Sequence, residues 1–189
     1  ASGLVTAKTD AMNHAVTYTY TPTGKLASRT WARGIVTNYG YDIFGQLQSV
    51  DYNDDTPDIT YAYNRLGQLQ TVNDAAGMRN FSYNANLSLI CESITGIYNK
   101  ELNYVYTTDG AKGRPLSMSI GEVQNYNYGY DSYGRLNQII TPAGAFGYAR
   151  IADSDLVSQL IRPNGINTTW NYEPHRNLIT EVANGSVST

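Results

Sequence analysis

Apolar and aromatic residues recur with a period of two in short runs. Tyr18-Thr19-Tyr20, Tyr39-Gly40-Tyr41, Tyr61-Ala62-Tyr63 and Tyr128-Gly129-Tyr130 each place rings at i and i+2. Side chains alternate across an extended chain, so both rings of a pair share one face of a strand. No stretch keeps a 3.6-residue period, which makes the expected fold class all-β. Turn chemistry follows each pair. Asp42-Ile43-Phe44-Gly45 and Asp131-Ser132-Tyr133-Gly134 carry Asp at the first and Gly at the fourth position of a type I turn. A hairpin closes there, with the glycine at positive φ bulging into a return strand that carries Leu47 or Leu136. Thr21-Pro22-Thr23-Gly24 and Glu173-Pro174-His175-Arg176 repeat the signal with proline at the second position. A second set of turn signals separates the hairpins: Gly34, Asn73 to Gly77, Gly121, Pro142-Ala143-Gly144 and Pro163-Asn164-Gly165. Strands spaced this evenly predict an antiparallel meander. Two stretches read as irregular: Asp109 to Met118, and Ile151 to Ile161, where a short helical turn is expected.

The pattern is a repeat of the form aromatic-x-Tyr, three residues, Gly, one residue, Leu. Degenerate copies are Phe81-Ser82-Tyr83, with Leu87 in the glycine's place, and Trp170-Asn171-Tyr172, with Arg176 in that place and Leu178 in register. Partial copies are Tyr104-Val105-Tyr106 with Gly110, and Phe146-Gly147-Tyr148. The second aromatic then falls at 20, 41, 63, 83, 106, 130, 148 and 172. That is eight units of about 22 residues over 18–182, read as a single domain spanning 1–189. The expected architecture is a run of β-hairpins forming a β-sheet strip or a β-solenoid or barrel-like shell segment. Tyr20, Tyr41, Tyr63, Tyr83, Tyr106, Tyr130 and Tyr172 form its ladder, backed by Leu26, Leu47, Leu69, Leu89, Leu136 and Leu178.

Composition sharpens this picture. The 189 residues contain 17 Tyr against 3 Phe, and charged residues make up 15%. Soluble domains average about 25% charged residues, so a solvated helical bundle is disfavoured, and the aromatic content argues against disorder. A net charge of -3 removes the electrostatic basis for nucleic-acid binding. The single cysteine, Cys91, forms no internal disulfide and reads as a buried thiol. No apolar run reaches the length of a membrane helix, so membrane insertion is not expected.

The intact units Tyr39 to Leu47 and Tyr128 to Leu136 resemble the tyrosine-aspartate repeat of the Rhs family, found also in teneurins and in the C components of insecticidal toxin complexes. The repeat-defining residues are Tyr41, Asp42, Gly45 and Leu47, and Tyr130, Asp131, Gly134 and Leu136. The resemblance implies a secreted or cell-surface, non-catalytic shell segment. Its partners would be other repeats or an enclosed polypeptide, and in some members polysaccharide. The family's self-cleaving C-terminal core is absent from these residues, so no proteolysis is carried over.

Candidate chemistry is sparse. His14 and His175 fall near turns, no nucleophile has motif context, and neither a cofactor nor a catalytic role is expected. The acidic stretch Asp51 to Asp58 begins like a calcium loop, but Thr56 and Ala62 stand where glycine and a bidentate glutamate belong. It reads as a loop between repeats with at most weak calcium affinity. Outward rings at Trp31, Trp170, Tyr52, Tyr98 and Tyr133 are the candidates for stacking on sugars, in competition with packing between repeats. A self-contained carbohydrate-binding module is therefore the alternative function.

Overall fold

A computed structural model describes residues 3–108 and 113–185. All of its regular structure is antiparallel β, in seventeen strands that follow one another as a meander. Backbone contacts divide the chain into two units, one holding residues up to Ser82 with Glu92–Lys100, the other Tyr83–Cys91 with the residues from Glu101 onward. The first contains β1 (Ala7–Thr9), β2 (Ala15–Tyr20), β3 (Leu26–Thr30), β4 (Val36–Tyr41), β5 (Leu47–Tyr52), β6 (Ile59–Tyr63), β7 (Leu69–Asp74) and nearly all of β8 (Gly77–Tyr83). β9 (Leu89–Gly96) is divided between the units. The second contains β10 (Lys100–Tyr106, apart from its first residue), β11 (Pro115–Ile120), β12 (Gln124–Tyr130), β13 (Leu136–Thr141), β14 (Gly144–Arg150), β15 (Val157–Ile161), β16 (Thr168–Tyr172) and β17 (Ile179–Asn184).

The turn chemistry read from sequence is present atom by atom. The Asp42 carboxylate accepts the amides of Phe44 at 2.9 Å and Gln46 at 2.8 Å, while the Gly45 amide donates to the Asp42 carbonyl at 2.9 Å. Gly45 sits at φ 80, and a register shift between Gly40 and Tyr41 sets Tyr41 opposite Leu47. Asp131 repeats this with the amides of Tyr133 and Arg135 at 3.0 and 2.9 Å, with Gly134 at φ 77. Asn64 and Asn84 fill the same role, and Leu87 adopts φ 64 in place of glycine.

Three expectations are corrected. In the last hairpin the left-handed residue is Asn177 (φ 54), not Arg176, and Tyr172 faces Ile179 rather than Leu178. The loop is one residue longer than in the intact units, so Leu178 leaves the ladder and stands 54% exposed. Residues 151–156 form turns, and Val157–Ile161 is strand β15 instead of a helical turn. Gly110, assigned to the Tyr104-Val105-Tyr106 unit, lies outside the described residues.

Pairing puts the two faces of the sheet in sharp contrast. Tyr18 opposite Arg29, Tyr39 opposite Val50, and Tyr61 opposite Val72 share one face of the first unit. Thr19 opposite Ser28, Gly40 opposite Ser49, and Ala62 opposite Thr71 share the other. The second unit repeats this, with Tyr128 opposite Ile139 and Tyr148 opposite Leu160, backed by Gly129 opposite Gln138. One face is thus tyrosine and aliphatic, the other mostly small and polar, with Ile140 and Ile161 as aliphatic exceptions in the second unit. Burial on the apolar side is shallow: among the described residues the only buried hydrophobic side chains are Val50 and Val72. Among the described residues no second layer of structure covers the tyrosines within either unit, unlike the packed layers of an ordinary domain.

Candidate functional site

Within each unit the tyrosine face is built by one repeated joint between successive hairpins. β3 pairs with β4 only from Ser28 onward, leaving the Leu26 carbonyl outside the ladder. The Tyr41 hydroxyl donates to it at 2.9 Å. The same bond recurs from Tyr20 to Val5 (2.7 Å), Tyr63 to Leu47 (2.9 Å), Tyr106 to Leu89 (2.9 Å), Tyr130 to Pro115 (2.7 Å) and Tyr172 to Val157 (2.8 Å). Each hydroxyl satisfies a carbonyl that the splayed strands cannot, while the ring covers apolar surface. Burial raises the pKa of the Tyr63 phenol, with smaller contributions from Tyr61 and Asp42.

One rung is not aromatic. Arg150, not Tyr148, occupies the position before the bulge of β14–β15, facing Val157, and its Nη2 donates to the Leu136 carbonyl at 2.9 Å. Tyr148 faces Leu160, as Tyr128 faces Ile139 one hairpin earlier. The unit is therefore Tyr148-Ala149-Arg150, and the rungs at 130, 150 and 172 are spaced 20 and 22 apart.

A second joint links hairpin tips. The residue between the left-handed glycine and the leucine, variable by sequence pattern, is a long donor: Lys25, Gln46 and Arg135. The Lys25 ammonium donates to the Gly45 carbonyl and lies 5.0 Å from the Tyr41 ring centre. Gln46 donates to the Gly67 carbonyl at 3.0 Å, and Arg135 to the Ser154 carbonyl at 2.6 Å. Arg114 lies 5.6 Å from the Tyr130 ring centre and fills the space a side chain at Gly134 would take. Gly24-Lys25-Leu26 thus cradles Tyr41, and Gly113-Arg114-Pro115 cradles Tyr130, the cation beside the ring and the following carbonyl on the hydroxyl. A shared long donor after the glycine was the signal available in the sequence.

The five candidate stacking rings do not form one platform. Trp31 has the Arg29 guanidinium 3.3 Å from its ring centre and donates its indole N–H to Thr37 at 3.1 Å. Tyr52, on β5, stands directly opposite that same Thr37. Trp170 faces Val182 on the tyrosine face of the second unit, half-buried. Tyr98 is 61% exposed, in the β9–β10 connection. Tyr133 is 72% exposed at the β12–β13 tip, with Arg135 4.9 Å from its ring centre. In the acidic loop, Asp58 accepts the Tyr52 amide and Asp54 the Thr56 amide. Among the described residues no group of three acidic, histidine or cysteine side chains is placed to hold a metal ion.

The family model for the teneurin YD-shell matches residues 54–183, more than half of the chain. The chain belongs to the teneurin YD-shell family. No curated protein matches the sequence. Solved YD-shell structures share the fold at low identity. The crystal structure of TcdB2-TccC3 superposes with a TM-score of 0.74 at 15% identity, over 97% of this chain and 11% of that one. TcdB2-TccC3-TEV gives 0.73 at 14%, over 94% and 10%. The Tc holotoxin pore of Photorhabdus luminescens, carrying a TccC3 mutation, gives 0.74 at 13%, over 97% and 10%. This chain therefore spans about a tenth of the length of the structures it matches. Its role is that of a structural shell element, and its YD repeats are the intact and degenerate hairpins described above.

Proposed function

We propose that this YD-shell segment encloses or displays another polypeptide, without catalysis, with its tyrosine face toward the covered chain. The observation that carries this reading is the uncovered tyrosine face itself. In the second unit Tyr104, Tyr106, Met118, Tyr128, Tyr130 and Leu136 line an open groove of about 450 Å³ with almost no charge. Apolar surface of this extent, left half-exposed by a one-layer sheet, gains from contact with an unfolded chain. The opposite face is mostly small and polar, with Val105, Ile140 and Ile161 as its exposed aliphatic residues in the second unit. A secreted or surface location, and other YD hairpins as lateral partners, fit the same reading; β17, every residue of which is exposed, offers an edge for such pairing.

The test is binding of a reduced, carboxymethylated polypeptide, followed by fluorescence anisotropy, to the intact chain and to Met118→Glu and Tyr128→Glu. Saturable binding weakened by either substitution supports the reading. Absence of binding overturns it. Binding of neutral oligosaccharides, lost in Tyr98→Ala, Tyr133→Ala, Trp31→Ala or Trp170→Ala, supports the carbohydrate-binding module in its place.

A further inference from the structure

A concavity of about 630 Å³ in the first unit opens where the β1–β2 tip meets the β3–β4 turn. Its walls carry Lys8, His14 and Arg33 beside Thr9, Val16 and Ala32. The wall also carries an acid, Asp10, whose oxygens are taken up by its own turn and by His14. One of its oxygens accepts the amides of Met12 and His14 at 2.9 and 2.8 Å, and the other meets His14 Nδ1 at 3.1 Å. Those bonds, the His14 amide first, hold the Asp10 carboxyl below its ordinary pKa. Lys8 and Arg33 make no ion pair among the described residues. Asp54 feels the charge of Arg33, but its carboxylate bonds chiefly to Thr56. A further cation without a carboxylate stands on the same face: Arg29, stacked on Trp31, has a buried Nε with no acceptor. In a chain of net charge -3, this corner holds two cations, Lys8 and Arg33, outside any ion pair among the described residues, beside the Asp10–His14 pair.

We propose that this concavity is a binding site for a tetrahedral oxyanion, a sulfate or phosphate group, held between Lys8 and Arg33 with His14 at its edge. Arg33 supplies a planar fork of N–H donors and Lys8 a mobile ammonium, a pair suited to an oxyanion with several acceptor oxygens. The anion comes either free or as the ester on a saccharide. Convergent like charges in a concave wall raise the local anion concentration, and salt screens the attraction.

The experiment is nuclear magnetic resonance of the whole chain titrated with sodium sulfate, against sodium chloride at equal ionic strength. A second arm compares a sulfated disaccharide with its unsulfated parent. The expected result is saturable shifts at Lys8, His14 and Arg33 with sulfate and with the sulfated sugar, weak response to the parent, and affinity about tenfold lower in Lys8→Gln/Arg33→Gln. Lys8→Gln alone gives an intermediate affinity, and Lys100→Gln, elsewhere in the chain, leaves binding unchanged. Saturation by free sulfate but not by the sulfated sugar restricts the site to free anions within the proposal. Shifts that match those in chloride, an unchanged affinity in the double variant, or equal binding of sulfated and unsulfated sugar overturn it.

Discussion

Two neighbouring hairpins of the second unit, β12–β13 and β14–β15, solve one structural problem with different residues. In the first, Tyr130 closes the joint with a neutral hydroxyl, and Asp131 folds a tight four-residue turn. In the second, Arg150 closes it with a guanidinium, and the turn lengthens to carry Asp153 at φ 57 and Asp155. The longer loop also places an acid where two cations meet. The cradle residue below Arg150 is Arg135, so two cations meet where elsewhere a cation covers a ring. Asp155 answers both, accepting Arg135 at 3.3 Å on its carboxylate and Arg150 at 2.7 Å on its carbonyl, while Asp131 holds Arg135 at 2.8 Å. What the joint requires is a donor aimed at an orphaned carbonyl. The ring is one way to deliver it.

The comparison can be broken at several points. Tyr130→Ala removes ring and hydroxyl together and should cost about 3 kcal/mol, the low end for a large aromatic because the ring is only half-buried. Denaturant unfolding reads this, and a loss near zero removes the ladder from the account. Gly134→Val should cost about 2 kcal/mol, since a β-branched residue resists φ 77 and displaces Arg114. Arg150→Met should cost about 1.5 kcal/mol by orphaning the Leu136 carbonyl, whereas Arg150→Tyr should recover most of that loss. Equal losses in the two Arg150 variants contradict the rung assignment.

The smallest effect is in pH. The turn amides, that of Arg135 first, hold the folded Asp131 carboxyl below its ordinary pKa. A carboxyl lowered on folding stabilises the protein above its unfolded pKa, about 3.9, and that contribution fades as pH falls through the lower folded value. Asp131→Asn keeps the acceptor oxygen, as Asn64 does in its own turn, so the variant should fold at neutral pH and lose less stability on acidification below about pH 4. Parallel acid unfolding curves for the two proteins refute this assignment.

The strand-turn-strand grammar was legible because it rests on local chemistry: alternation fixes the face, and Asp or Asn with a left-handed residue fixes the turn. Phase was not always legible. Phe146-Gly147-Tyr148 imitates the aromatic pair two residues before the true joint, and nothing local marks an arginine as the equivalent of a tyrosine. Leu178 misled for the same reason, because one added loop residue passes the register to Ile179. The tip-to-tip donors Lys25, Gln46 and Arg135 share a function rather than a residue type, and their acceptors lie about 20 residues away. Such partners become visible only once hairpins stack. Of the candidate stacking rings, Trp31 proved to be covered by a cation from the strand just before it, a contact no spacing announces.

The most direct test sets two tyrosines of one strand against each other. Tyr39 and Tyr41 share β4 and its tyrosine face, yet only the Tyr41 hydroxyl reaches a carbonyl of the preceding hairpin, that of Leu26. Unfolding free energies of Tyr39→Phe and Tyr41→Phe isolate that bond. Tyr41→Phe should lose about 1 kcal/mol and Tyr39→Phe less than about half of that. Equal losses, or a larger loss at Tyr39, would contradict the hydroxyl joint that links each hairpin to the next.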